Sequence, residues 1–415
     1  QNPHHGERND TSSTIVLCMT TTPLATTVKE RFQQQSHNSS NHIPSLQLFH
    51  QPIDAQSLTF TFPTVEERVK YYMGSWYDIP KHPTPNRSIC QRLHYHPLKK
   101  NSTLKFVEID RPFIFNETNL EYILSQPNPL RYASNAMENY IRRGPPGVRV
   151  AFAFGDSTLG GDRTGMLPLI IKSRPVEGVT EVYLAGFDRT PVPENKPILG
   201  FLNVKRHYGK LSEVADNDRP FEEKKNTVVW RGTSTGHGPL KRHNFVKLYI
   251  DFPRNDIDIA LSNNLSLGDD PFVQRLVRQK MKMSILLEHK YLLSLEGNDV
   301  ASGLKWMLLS NSVVFMPPPK VVSWAMEDLL VPFYHYIPLK RDLTDLPTML
   351  QWARENDAAC QRIAQQSTQY IMDLVVSPQA QLNHELILNK TVARYHDLYG
   401  DLLQECSEND SSQTK

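Results

Sequence analysis

Between residues 226 and 375, short apolar runs alternate with amphipathic ones, and few architectures other than a parallel sheet satisfy that pattern. NTVVW (226–230) reads as a strand and PLKRHNFVKLYI (239–250) as a helix. FVQRLVRQKMKMSILLEH (272–289) reads as a second helix, and KYLLSLEG (290–297) as a strand ending in glycine. SGLKWMLLSN (302–311), SVVFMP (312–317), VSWAMEDLL (322–330) and YHYIPL (334–339) continue as helix, strand, helix and strand, and 346–375 is mostly helical. Strands separated by single helices wind into a parallel sheet covered on both faces. Ligands of such sheets sit beyond the carboxyl ends of the strands. The loops after Trp230, Glu296 and Phe315 are therefore expected to line a pocket.

The preceding stretch, 60 to about 215, has a different texture. VRVAFAF (148–154), LPLIIKSRP (167–175), VTEVYLAGF (179–187) and ILGFLNV (198–204) are bounded by Pro/Gly turns and read as strands. EERVKYYMGSWYD (66–78) and LRYASNAMENYIRR (130–143) read as helices. The expected organisation is a flexible arm over 1–45, an N-terminal α/β domain over 46–215 and a C-terminal Rossmann-like α/β domain over 216–375. A helix over 376–405 packs back on the first domain, and 406–415 is a disordered tail.

Lys and Arg (46) nearly balance Asp and Glu (44), leaving +2 over 415 residues. A nucleic-acid binder needs concentrated positive charge, so no nucleic-acid partner is expected. No apolar run approaches the ~20 residues that span a bilayer. Four cysteines (18, 90, 360, 406) lack metal-like spacing, whereas eight N-x-S/T sequons occur, at Asn9, Asn38, Asn86, Asn101, Asn116, Asn264, Asn389 and Asn409. Sequons are used only in the secretory lumen, so the endoplasmic reticulum or Golgi is the expected location. Any membrane association is expected through an N-terminal anchor preceding Gln1.

Three segments carry chemistry. GTSTG (232–236) fits the G-x-S-x-G elbow of serine hydrolases, with Ser234 as nucleophile. The same segment, preceded by Arg231, equally offers a fixed cation, a flexible Gly232 and the hydroxyls of Thr233 and Ser234 ahead of a helix, which suits a diphosphate. LEGNDVASGLK (295–305) runs from a strand through a glycine turn into a helix carrying Lys305, again a phosphate-binding arrangement. Lys172 and Arg174 end one apolar run and Lys205-Arg206-His207 follow another, so these cations could face the pocket across a cleft. No metal-binding motif occurs, and no catalytic metal is expected.

Taken together, PLIIKSRPV, NVKRHYGKL, KKNTVVWRGTSTG and HKYLLSLEGNDVASGLKWMLLSNSVVFMPPPKVVSWAMEDLLVPFYHYIPLKRDLTDL resemble glycosyltransferase family 90. The last block is similar to the bacterial lipopolysaccharide branch more than to the animal protein O-glucosyltransferases. The resemblance implies an α/β protein of GT-B type, two Rossmann-like domains facing a cleft. It implies inverting, metal-independent transfer of a hexose or pentose from a UDP-sugar to a glycan or glycoprotein acceptor, with no cofactor beyond that donor. It places Arg231, Gly232, Thr233 and the Asp299–Lys305 segment, with Ser302, Gly303 and Lys305, at the donor diphosphate; the residue patterns above add Ser234, Glu296, Gly297 and Asn298 to the expected donor site, with Lys172 and Arg174 opposite. The animal enzymes carry an arginine where this chain has Gly303, which leaves Lys305 to supply the charge. A base must take the acceptor's proton; Asp156 is the first choice, with Asp162 and Glu296 behind it. Arg231 is expected to stabilise the leaving group. The alternatives are a serine hydrolase using Ser234 and a non-catalytic glycan-binding protein of the same fold.

Overall fold

In the computed structural model the described residues are 59–78, 94–95, 113–125, 138–154, 156, 158, 168–184, 187–192, 194–236, 241–251, 253–263 and 271–413. Two five-stranded sheets organise them. In the first, β1 (His94–Tyr95) runs parallel to β2 (Phe113–Phe115), β2 antiparallel to β3 (Val150–Phe152), and β3 parallel to β4 (Ile170–Ile171). Three further strands follow β4: β5 (Ser173–Pro175), and the antiparallel pair β6 (Glu181–Leu184) and β7 (Phe187–Pro191). β8 (Ile198–Leu199) then closes the sheet beside β4. The β2–β3 pair makes this sheet mixed rather than purely parallel.

The second sheet contains β9 (Lys225–Gly232), β10 (Ile257–Leu261), β11 (His289–Leu293), β12 (Val313–Met316) and β14 (Ile337–Pro338). Every pairing in it is parallel, in the order β10-β9-β11-β12-β14. Alternation explains why both faces are buried. Val228 and Trp230 of β9, Tyr291 and Leu293 of β11 and Val313 and Phe315 of β12 share one apolar cluster. Val229 and Leu292 point the other way, against Met283, Leu287 and Trp306. Strands covered on both sides are the rule in parallel sheets, because the crossovers place helices on each face.

Two expected helices differ. The 272–289 stretch forms only two short helices, Pro271–Gln274 and Met283–Leu286. Between them Val277 bridges Leu261, and the Arg278 N–H donates to the Leu261 carbonyl, so the chain extends the sheet edge instead of coiling. The 322–330 stretch begins as β13 (Val321–Ser323), antiparallel to β5, and turns at Met326 (φ 52°) into a short 3-10 helix, Glu327–Leu329. This β5–β13 ribbon ties the first half of the chain to the second.

The last helix, Pro378–Gln413, is longer than expected and continues through most of the segment anticipated as a tail. Its buried Leu402, Leu403 and Cys406 carry the apolar face past 400, and Cys406 is disulfide-bonded. The helix lies on the first sheet: Tyr395 Oη accepts from Ala151 N and donates to the Pro168 carbonyl, and Tyr399 Oη donates to the Trp76 carbonyl.

Candidate active site

Strand order places the site. The chain leaves β9 for β10 on one side and returns to β11 on the other, so the crevice opens beyond the carboxyl ends of β9 and β11. The 232–236 loop follows β9 and the 294–301 loop follows β11, and they lie against each other. Arg242, first residue of the helix Arg242–Asp251, holds them together. Its guanidinium donates to the carbonyls of Glu296 (3.0 Å) and Leu295 (2.5 Å) and to Thr235 Oγ1 (3.0 Å), and stacks 5.6 Å from the Trp230 ring. Burial pulls its pKa down to about 10, which leaves it charged at neutral pH. The approach is close enough to require Gly297, where a Cβ would stand 2.8 Å from Thr235 Oγ1 and 3.2 Å from the Arg242 guanidinium. Asn298 Oδ1 accepts from Gly236 N at 3.0 Å, and Gly236 adopts φ 123° to present that N–H. The crevice forms a cavity of about 290 Å³, near the lower end of volumes that hold small ligands.

The first sheet reaches this crevice through Asp156, just beyond β3. Lys172 Nζ lies 2.6 Å from Asp156 Oδ1 and 2.6 Å from Asp299 Oδ2, so one buried ammonium joins a carboxylate from each half of the chain. Asp299 also accepts from Ser173 Oγ (3.3 Å). Partial burial works to raise the Asp156 pKa, but the Lys172 charge and hydrogen bond, the Arg206 charge and the Asn298 amide outweigh it and hold the carboxyl below its ordinary value. Asp299 is more deeply buried, and there desolvation wins against the same Lys172, so its pKa is raised. Asp156 keeps about a third of its side-chain surface open to the cavity, whereas Asp299 is nearly closed off. Of the pair, Asp156 is the one able to accept a proton from a ligand.

Of the residues expected from sequence, Gly232, Thr233, Gly297, Asn298, Asp299, Ser302, Gly303 and Asp156 line this cavity, and Lys172 stands behind it. Others do not present their side chains to it. Arg231 borders the cavity, but its guanidinium is engaged within the sheet: Nη2 donates to both Asp258 oxygens (2.8 and 2.9 Å) and Nη1 to the Trp230 and Asp258 carbonyls. The register explains this: Ala260 of β10 lies opposite Arg231 and Val229 opposite Asp258, so the two are diagonal neighbours on one face of the sheet. Lys305 points inward and pairs with Glu327 at 2.6 Å, both fully buried. The two cations expected to hold a leaving diphosphate are thus spent in internal ion pairs. Arg174 is spent too: its guanidinium caps the carbonyls of Tyr71, Tyr72 and Pro197.

Ser234 is buried, whereas a nucleophile elbow holds its serine exposed. Glu296 turns from the crevice, and its Oε1 accepts from Lys320 N (2.8 Å) and Val321 N (3.2 Å). Asp162 lies outside the described residues. Sequence reading missed Arg242, which in a Lys-Arg helix start looks like a solvated surface residue, and placed Arg206 in the Lys205-Arg206-His207 group that could face the pocket across a cleft. Arg206, Lys210 and Lys280 are the exposed cations on the cavity wall.

A model of glycosyl transferase family 90 matches residues 190–388. That stretch includes β9 to β14, both crevice loops, Arg206 and Arg242. The O-glucosyltransferase LpsA of Dichelobacter nodosus is 28% identical over 306 residues, covering 73% of this chain and 82% of that protein. Protein O-glucosyltransferase 1 of Rattus norvegicus is 29% identical over 167 residues, 37% of this chain and 38% of the rat protein. Protein O-glucosyltransferase 2 of Danio rerio is 25% identical over 172 residues, 41% and 32% of the respective chains. The bacterial relative thus matches a longer stretch than these two animal ones, in keeping with the motifs of the second sheet. Residues 190–388, with the crevice they build, belong to glycosyltransferase family 90.

Proposed function

We propose that the protein is an inverting transferase that moves a hexose or pentose from a UDP-sugar to a hydroxyl of a glycan or glycoprotein, with Asp156 as general base. The observation that carries this reading is the position of Asp156: a carboxylate from the first sheet, kept ionised by Lys172 and Asn298, open to the crevice at the switch point of the second sheet. Asp156 takes the proton of the acceptor hydroxyl as its oxygen attacks the anomeric carbon. The bond to the diphosphate breaks on the opposite side, and the configuration inverts. Charge then grows on the diphosphate, which lies against the 232–236 and 297–303 loops, where Arg206 and Lys280 replace Arg231 and Lys305 as the neutralising cations. The two sheets stand as the halves of a GT-B enzyme.

Metal independence is supported by the chemistry of the two carboxylates. Lys172 Nζ occupies the place between Asp156 and Asp299 where a divalent cation would sit, so the charge is supplied from within. Turnover is therefore expected to survive chelator. A lumenal location is supported by the bridged Cys406 and by the exposed sequon asparagine Asn389. No described helix is long and apolar enough to cross a membrane.

The experiment is UDP release from a panel of UDP-sugars in the presence of a mixed acceptor library. One sugar should be turned over, and Asp156→Asn should lower kcat by about two to four orders of magnitude with little change in donor KM. Donor binding without turnover of any sugar would favour a non-catalytic binder, and undiminished turnover by Asp156→Asn would remove that residue from the chemistry.

A further inference from the structure

A second cavity lies on the other side of the 294–301 loop from the donor crevice. Its volume, about 140 Å³, is roughly half that of the crevice, which suits one sugar ring rather than a chain. Lys320, just after β12, and Arg341, just after β14, line it together with Glu296, while Thr158 and Glu181 reach it from the first half. Among the described residues neither Lys320 nor Arg341 makes a side-chain hydrogen bond or an ion pair, although both are half-buried. The two cations are close enough that, after burial, the Arg341 charge is the largest influence lowering the Lys320 pKa. The nearby Glu296 carboxylate draws on both cations, but burial outweighs it and both pKa values stay lowered, so an anionic ligand in the cavity would relieve the remaining cost.

Glu296 supplies the second half of the recognition. Its Oε1 is fixed by Lys320 N and Val321 N, which leaves Oε2 without a hydrogen bond among the described residues. Burial raises its pKa against the pull of those two N–H groups and of Arg341. A fixed acceptor oxygen beside a fork of donors matches a ring that carries hydroxyls together with an acidic substituent. Asn298 and Asp299 line both cavities, and Thr158 is two residues from Asp156, so a ring held here lies next to the base.

We infer that this second cavity binds an acidic sugar residue of the acceptor, one carrying a carboxylate or a phosphate, through Lys320, Arg341 and Glu296. The assignment to acceptor rather than donor rests on the proposed transferase reading, which fills the crevice with the donor. Calorimetry of the intact protein with methyl β-glucuronide, glucose 6-phosphate and neutral methyl β-glucoside tests it. At least one acidic probe should bind about tenfold or more tightly than the neutral one, and the better of the two identifies the acidic group. In Lys320→Gln/Arg341→Gln that preference should vanish while the melting temperature holds. Equal affinity for the three probes, or a preference that persists in the double variant, overturns the inference. UDP release from the UDP-sugar panel with the acceptor library, measured alongside, keeps the two readings apart. Acid preference without any turnover sinks the transferase and spares the cavity, and turnover without acid preference does the reverse.

Discussion

Asp156 is useful because of its neighbours. Lys172 and Asn298 hold it ionised below the usual carboxylate range, so the acid limb of kcat/KM should fall below pH ~3.9, the value of a free aspartate. A depressed pKa means that the competent, ionised form persists as pH falls and is lost only on crossing the folded value. Lys172→Met removes the main opposing charge and should move that limb upward. Because the variant also leaves two carboxylates facing each other, Lys172→Arg is the companion that keeps the charge and should keep the limb low. The cations divide in the same way. Arg206→Ala should lower kcat roughly ten- to a hundredfold with an unchanged melting temperature. Arg231→Ala should instead lower the melting temperature, since it strips from Asp258 a partner held by both carboxylate oxygens and leaves it, among the described residues, Arg278 at 2.9 Å. A large loss of turnover by Arg231→Ala at full stability would show that its guanidinium leaves Asp258 to meet the donor. Sequence could name Arg231 as a strand-end cation, but whether such a side chain faces a ligand or a neighbouring strand depends on register, which one segment alone does not specify.

At the level of elements, the strands of the second sheet were legible because their alternation between apolar and amphipathic runs is a direct image of a covered parallel sheet. The segments that differed are those where tertiary pairing overrides local periodicity. Val321–Ser323 has the spacing of a helix start yet becomes an edge partner for β5, and 275–282 is drawn along β10. The crevice loops follow the same logic: glycines could be seen, but not the arginine they pack around. Gly297→Ala should raise donor KM several-fold, because its Cβ, 2.8 Å from Thr235 Oγ1, forces the two loops apart. Arg242→Ala, which removes the pin without adding bulk, should raise it at least as much. Initial-rate kinetics across UDP-sugar concentration reads both, and unchanged KM in both variants would mean the loops do not shape the donor site.

For the whole molecule, the buried Lys305–Glu327 pair is a liability as well as a link, as each charge depends on the other. Either Lys305→Met or Glu327→Gln alone should cost about 3–5 kcal/mol in urea unfolding. The double replacement by apolar residues should recover much of that, because no charge is then stranded; equal loss in the double variant would point to packing instead. The two halves are joined elsewhere by the stacked Tyr72 and Trp324 rings, 3.8 Å apart, and by the ribbon of β5 with β13. That ribbon begins at Ser173, the residue after Lys172, so the clasp between the aspartates sits at the end of a spine. Like the pages of a volume bound along that spine, the halves bring Asp156 and Asp299 together at its end, and on the proposed reading nucleotide and sugar would meet the base there.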